Sequence, residues 1–235
     1  MIDWMNVVVP VWFLTSWVGY VYFAKAMAKK THCLASVLHL HRMDWMRCLL
    51  RRDQRVSDAA LLSNIERNVN FFASTTILVL AGILTLITNA THVFESISHI
   101  PFQAISTENE FLFKLVCMVG IFVYAFFTFT WSLRQFNMAS TLVGAAPLHT
   151  DLAGKDEERE KYAIFAGKII DQAGHSYNYG LRSYYFALAA LSWFIDPWLC
   201  MAATSLVVGV LYQREFHSKT LRTLVRGLPA DLANQ

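Results

Sequence analysis

Apolar residues in this chain run in long stretches, and polar residues crowd the segments between them. A helix of about 20 apolar residues matches a hydrocarbon core about 30 Å thick. By that measure the first span covers residues 4–24, with Trp4 and Tyr22 near its ends and Pro10 placed to kink it. A second covers 69–89, centred on ILVLAGILTLI, and a third covers 111–133, with one charge, Lys114, near its start.

The last apolar region, 184–212, is longer than one span needs and is interrupted by Asp196-Pro197. Two readings compete. In one it is a single long kinked helix, giving four spans in all. In the other it is a hairpin turning at Asp196-Pro197, with a fourth span over 176–195 and a fifth over 197–213. An aspartate at a bilayer centre is costly and a proline breaks the helix ladder.

Charge placement favours the hairpin. With five spans, the segments 25–68, 134–183 and 213–235 hold nine, six and four Lys/Arg residues, and Lys114 completes the twenty. The outer segments 1–3 and 90–110 then hold none, as expected when cationic loops stay in the cytoplasm. A single last helix would put Arg214, Lys219, Arg222 and Arg226 outside. The pattern predicts an all-α fold: one integral membrane domain, 1–235, built as a polytopic transmembrane helical bundle of five spans (alternative four) with amphipathic cytoplasmic helices. The cytoplasmic loops are 25–68 and 134–175, and 214–235 is a cytoplasmic tail. The expected location is a bacterial inner (plasma) membrane, with the N-terminus outside.

The loops carry their own periodicity. In THCLASVLHLHRMDWMRCLLRR (31–52), Leu34, Val37, Leu38, Met46, Leu49 and Leu50 are spaced as on an amphipathic helix. The stretch DLAGKDEEREK (151–161) is polar and expected to be exposed. A helix is expected from near Tyr162, running into the fourth span. The basic tail after Phe216 is expected to be loosely ordered.

Composition agrees with the pattern. Charged residues make up 16% of the chain and hydrophobic residues 55%, where a soluble domain carries about 25% charged. The net charge of +3 matters only through its placement: the cations flank apolar spans and form no basic domain for nucleic acid. The first charge is Asp3, and the first apolar stretch is long for a signal peptide, so an uncleaved first span is expected. Cys33, Cys48, Cys117 and Cys200 form no C-x-x-C pair and read as small hydrophobes.

Several stretches carry a resemblance: Trp45-Met46, Asp53-Gln54-Arg55-Val56, NIERNVNFFASTTIL (64–78), SLRQFNMASTLVGAAP (132–147), SYNYGLRSYYFALAALSWF (176–194) and LYQREF (211–216). Together they resemble the membrane-protein family catalogued as domain of unknown function 599, over nearly the whole chain. The resemblance implies a membrane protein and brings no activity, substrate or catalytic residue.

Candidate chemistry therefore comes from the residues. Arg67 and Asn68 precede the second span, Arg134, Gln135 and Asn137 follow the third, and Asn178 and Arg182 begin the fourth. If they converge, their guanidiniums and amides would hold a phosphate, a carboxylate or a lipid headgroup. The competing reading is that each arginine reaches the interface separately. Lys114 and Asp196 are charges within apolar regions, suited to an ion site or proton relay, with Glu108 and Glu110 as further partners. Against that, Asp196 fits a turn before Pro197. His92, Glu95 and His99 fall at i, i+3 and i+7, a spacing two imidazoles and a carboxylate would need to bind a transition metal from one helical face. His39 and His41 are two apart and share no face.

Hydroxyls at Ser74, Thr75, Thr76, Thr85, Thr88, Tyr124, Thr128 and Thr130 would line a pathway or bond their own helices. Ser205 and Gly209, like Ala81 and Gly82, allow close helix packing within or between subunits. No G-x-S-x-G, P-loop, Rossmann or metalloprotease signature occurs. The leading expectation is permeation of an ion or small solute by a homo-oligomer. The alternatives are an accessory subunit of a membrane complex or a lipid-binding protein, and third a metal-dependent membrane enzyme. No cofactor is predicted, and membrane lipids are the expected partners.

Overall fold

The computed structural model describes residues 4–28, 31–98 and 107–227. Most of these are helical, with no strand among them. In chain order the helices are α1 (Met5–Ala28), α2 (Leu34–Leu49), α3 (Val56–Thr88), α4 (Ala90–Ser98), α5 (Glu108–Ala145), α6 (Asp156–Leu191), α7 (Pro197–Phe216) and α8 (Lys219–Arg226). A 3-10 turn, Ser192–Phe194, follows α6.

Helices α3, α5 and α6 have 33, 38 and 36 residues, or about 50, 57 and 54 Å at 1.5 Å per residue. Each is far longer than its apolar stretch. The extra turns are polar but helix-favouring, as in DEEREKYAIFAGKII at the start of α6. Helices α1, α3 and α5 are long and apolar enough to cross a membrane. The apolar end of α6 is short, and the last turn of α7 carries Gln213, Arg214 and Glu215.

The chain divides into two compact units: residues 1–30, 74–126 and 180–214 form the first, and 31–73, 127–179 and 215–235 the second. The second nearly coincides with the segments that charge placement assigns to the cytoplasm.

In the first unit, α1 packs through Val9, against Trp193 and Cys200, and through Phe13 and Trp17. Trp17 stacks on Phe186 at 5.3 Å, and Phe13 meets the same ring edge-on at 5.7 Å. Thr76 and Tyr184 share a hydrogen bond of 2.9 Å. Large apolar side chains face outward around the unit, among them Leu14, Leu78, Val116, Leu188 and Leu206. Such a surface is stable against lipid tails and unfavourable in water. Gly82 and Gly209 also face open space: a Cβ on either would meet nothing within 4 Å. The small-residue pairs therefore make no helix contact inside this chain among the described residues.

The hairpin expected at Asp196-Pro197 is present. The Asp196 carboxylate accepts from the backbone N–H groups of Trp198 (2.8 Å) and Leu199 (3.1 Å), capping α7. Pro197 opens α7, where its missing N–H costs nothing. Arg214 then reaches back to the Tyr185 hydroxyl at 3.5 Å and lies over its ring. The apolar region 184–212 is thus broken into two helices at this point.

In the second unit, α2 begins on a reciprocal cap. The Ser36 N–H donates to Cys33 Sγ, and the Cys33 N–H donates to Ser36 Oγ. Its buried face, Val37, Met43, Met46 and Leu49, realises the amphipathic pattern read over 31–52. Gly167 of α6 allows the close approach: a Cβ there would lie 2.7 Å from Met43 Sδ. The tail expectation needs correction. Residues 219–226 form α8, whose Leu221 is buried against Val37, with Leu224 and Val225 packed beside it. The apolar positions fall at i, i+3 and i+4, which pays off only once α2 supplies a surface.

Candidate functional site

The candidate residues divide between the units. Arg67, Asn68, Arg134 and Asn137 lie in the second unit with exposed side chains, and Asn178 there is half-buried. No hydrogen bond or ion pair joins these five to one another among the described residues. Arg182 belongs to the first unit, its guanidinium 5.4 Å from the Tyr20 ring centroid. His92 and Glu95 are exposed on α4, and His99 lies outside the described residues. Among the described residues no three of His, Cys, Asp and Glu are arranged to hold a metal. Thr85 and Thr88 donate to the carbonyls of Ala81 and Thr85, so these hydroxyls serve their own helix.

Lys114 is the most deeply placed charge. It is 0% exposed, and its ammonium donates to Glu110 Oε1 at 3.0 Å and to the Trp193 carbonyl at 3.0 Å. The cation lies 5.4 Å from the Trp193 ring centroid. One turn of α5 separates Lys114 from Glu110, so the i,i+4 spacing supplies the counter-charge. Glu108 instead accepts from Thr91 Oγ1 at 2.7 Å, and Asp196 is engaged as the α7 cap.

Lys114 lies at one end of a cavity of about 560 Å³ within the first unit. That volume falls in the range of small-molecule sites. The wall on α1 runs from Val9 to Lys25, about 24 Å of helix, with Phe13 and Trp17 along it. Residues of α5, including Met118, Gly120 and Ile121, form the facing wall. Trp193 and Cys200 close the Lys114 end. The lining is almost wholly apolar, with cations at the two extremes. Trp193 adds one exception: its indole Nε1 is buried without a partner among the described residues. A buried donor left unpaired is costly and calls for an explanation.

A second polar constellation sits in the second unit, where the sequence offered only His39. Asp171 of α6 accepts from His39 Nδ1 at 2.9 Å and from Arg42 Nη1 at 2.7 Å, and His175 Nε2 lies 3.4 Å away. Burial pushes the Asp171 carboxyl up, but the hydrogen bonds from His175, His39 and Arg42 outweigh it and hold the group well below its ordinary value. Three turns earlier on α6, Glu160 pairs with Arg47, whose Nη2 donates at 2.6 Å. His39, Arg42 and Arg47 thus clasp α2 onto α6. The spacings were visible, i,i+3 on α2 and i,i+4 on α6, but not that the two helices meet.

Fold and site together define a class: an all-helical protein with, among the described residues, three helices fit to cross a membrane, carrying a buried lysine at the end of an apolar groove. The chain belongs to the family described as "Protein of unknown function, DUF599", whose model matches residues 8–220. No curated protein and no solved structure matches it.

Proposed function

We propose that this is a five-span protein of the inner (plasma) membrane that binds an apolar-chain molecule in the groove of its first unit. The observation that carries the reading is the groove itself. Its α1 wall extends about 24 Å, most of a hydrocarbon core of about 30 Å, and its lining is apolar along that length. A hydrated ion would lose its shell there without replacement ligands, whereas an alkyl chain would lose nothing. Permeation, the leading expectation from the sequence, draws less support, because Thr85 and Thr88 bond within their own helix and Thr76 is paired with Tyr184.

In this reading the apolar turns of α6 and α7 supply spans four and five. Their outward Leu188, Leu191, Leu199 and Leu206 suit lipid contact. The cationic segments then lie in the cytoplasm. A reporter fused after Gln235 is expected to read out as cytoplasmic, and an external readout removes the five-span topology.

Gly120 offers the direct test of the groove. It lines the cavity, and a Cβ there would meet nothing within 4 Å, so a larger side chain grows into empty space. Gly120→Leu is expected to raise thermal stability slightly, by about 0.5–1 kcal/mol from helix propensity alone. It is also expected to lower retention of long-chain alkanes or lipids, counted by native mass spectrometry of the detergent-solubilised protein, at least fivefold (about 1 kcal/mol). Unchanged retention would show that the groove is not where chains bind.

A further inference from the structure

The groove reading leaves open what its polar end recognises, and the inference here rests on that reading. Lys114 has three ammonium N–H groups. Glu110 and the Trp193 carbonyl take two of them. Among the described residues neither the third nor the buried Trp193 indole N–H has an acceptor, and both residues line the same end of the cavity. Glu110 already neutralises the cation, so among the described residues this end is rich in donors without an uncompensated positive charge.

That combination discriminates between headgroups. A carboxylate or phosphate would lose its hydration and find no uncompensated positive charge in return. A hydroxyl would bring a donor of its own to a place already crowded with donors. A neutral carbonyl oxygen brings two lone pairs, no proton and a small desolvation cost. We infer that the Lys114–Trp193 end of the groove binds the carbonyl oxygen of an apolar-chain molecule, either the ester carbonyl of a lipid or the carbonyl of a long-chain quinone. The indole N–H and the remaining ammonium N–H donate to that oxygen, and the chain lies along α1 toward Lys25.

The test uses the full-length protein in detergent with four probes: methyl tetradecanoate, tetradecanoate, decyl-benzoquinone and tetradecane. Bound probe is counted by native mass spectrometry across a concentration series. Both neutral carbonyl probes, or one of them, are expected to bind about tenfold more tightly than tetradecane, the yield of about two hydrogen bonds. Which one binds identifies ester or quinone as the source. Trp193→Phe keeps an aromatic six-membered ring at this position and removes the N–H together with the pyrrole portion of the indole. It is expected to weaken the carbonyl probes about fivefold and leave tetradecane unchanged.

Equal binding of carbonyl probes and tetradecane overturns the inference while leaving the groove intact, provided Gly120→Leu still blocks tetradecane. A preference for tetradecanoate over its methyl ester also overturns it, in favour of an anion site. Binding of every probe that is indifferent to Gly120→Leu sinks the groove reading itself. A Trp193→Phe protein that loses all four probes equally points to damaged packing and overturns the role given to the N–H.

Discussion

Asp171→Asn is expected to destabilise the protein by about 2–3 kcal/mol and to loosen α2 before anything else. The carboxylate is the common acceptor for His39 and Arg42 of α2 and for His175 of its own helix. Its side chain is 12% exposed and that of Arg42 20%. Removing the charge from a largely buried pair strands the guanidinium, which costs more than the pair itself contributes. Exposure at the edge of the cluster keeps the loss below the range for fully buried pairs. Hydrogen exchange is expected to rise first across residues 34–49, with thermal melts in detergent giving the magnitude. Glu160→Gln is the control: Glu160 is 46% exposed, so cutting its bond to Arg47 should cost less than about 1 kcal/mol.

The pH dependence has a definite sign. The folded Asp171 carboxyl titrates below its unfolded counterpart, so its contribution is complete above the ordinary carboxylate range. It is lost as pH falls through the folded value. The gap between wild type and Asp171→Asn should therefore be full at neutral pH and close only in strong acid. Equal melting temperatures at neutral pH would remove the clasp from the account of α2 docking.

How much of this was readable in the sequence depends on whether the signal is local. The apolar stretches, the helix break at Asp196-Pro197 and the amphipathic face of α2 are local, and each appears in the structure. The length of α3 was underestimated because Val56–Asn68 is polar enough to look like loop while remaining helix-favouring. Helix α8 was missed because eight residues cannot hold a helix without a docking surface, and that surface lies on α2, far away in the chain. The same limit hid the Asp171 cluster, whose members His39 and Asp171 are 132 positions apart. The groove was beyond reach for another reason. Val9, Met118 and Ala190 look alike whether they face lipid, a neighbour or a cavity, and only packing separates the three. Lys114 stood out because a charge in an apolar run is conspicuous, yet its partner had to be chosen among Glu108, Glu110 and Asp196.

That choice yields the other large effect. Lys114→Met is expected to cost about 3–5 kcal/mol, because it leaves the Glu110 carboxylate, 11% exposed, without its counter-charge and the Trp193 carbonyl without its donor. Glu110→Gln alone should also be costly, since Lys114 is wholly buried. The double variant Glu110→Gln/Lys114→Met is expected to recover most of the loss and fall within about 1–2 kcal/mol of wild type, as buried pairs replaced together often do. Melting the four proteins in one detergent gives the coupling directly. Simple additivity would mean that the two side chains do not act as a pair. Asp196 supplies the contrast within the same unit. Its carboxylate accepts from two backbone N–H groups at the start of α7, a task an asparagine performs nearly as well. Asp196→Asn should therefore be almost silent, which separates a charge held for its charge from one held for its hydrogen bonds.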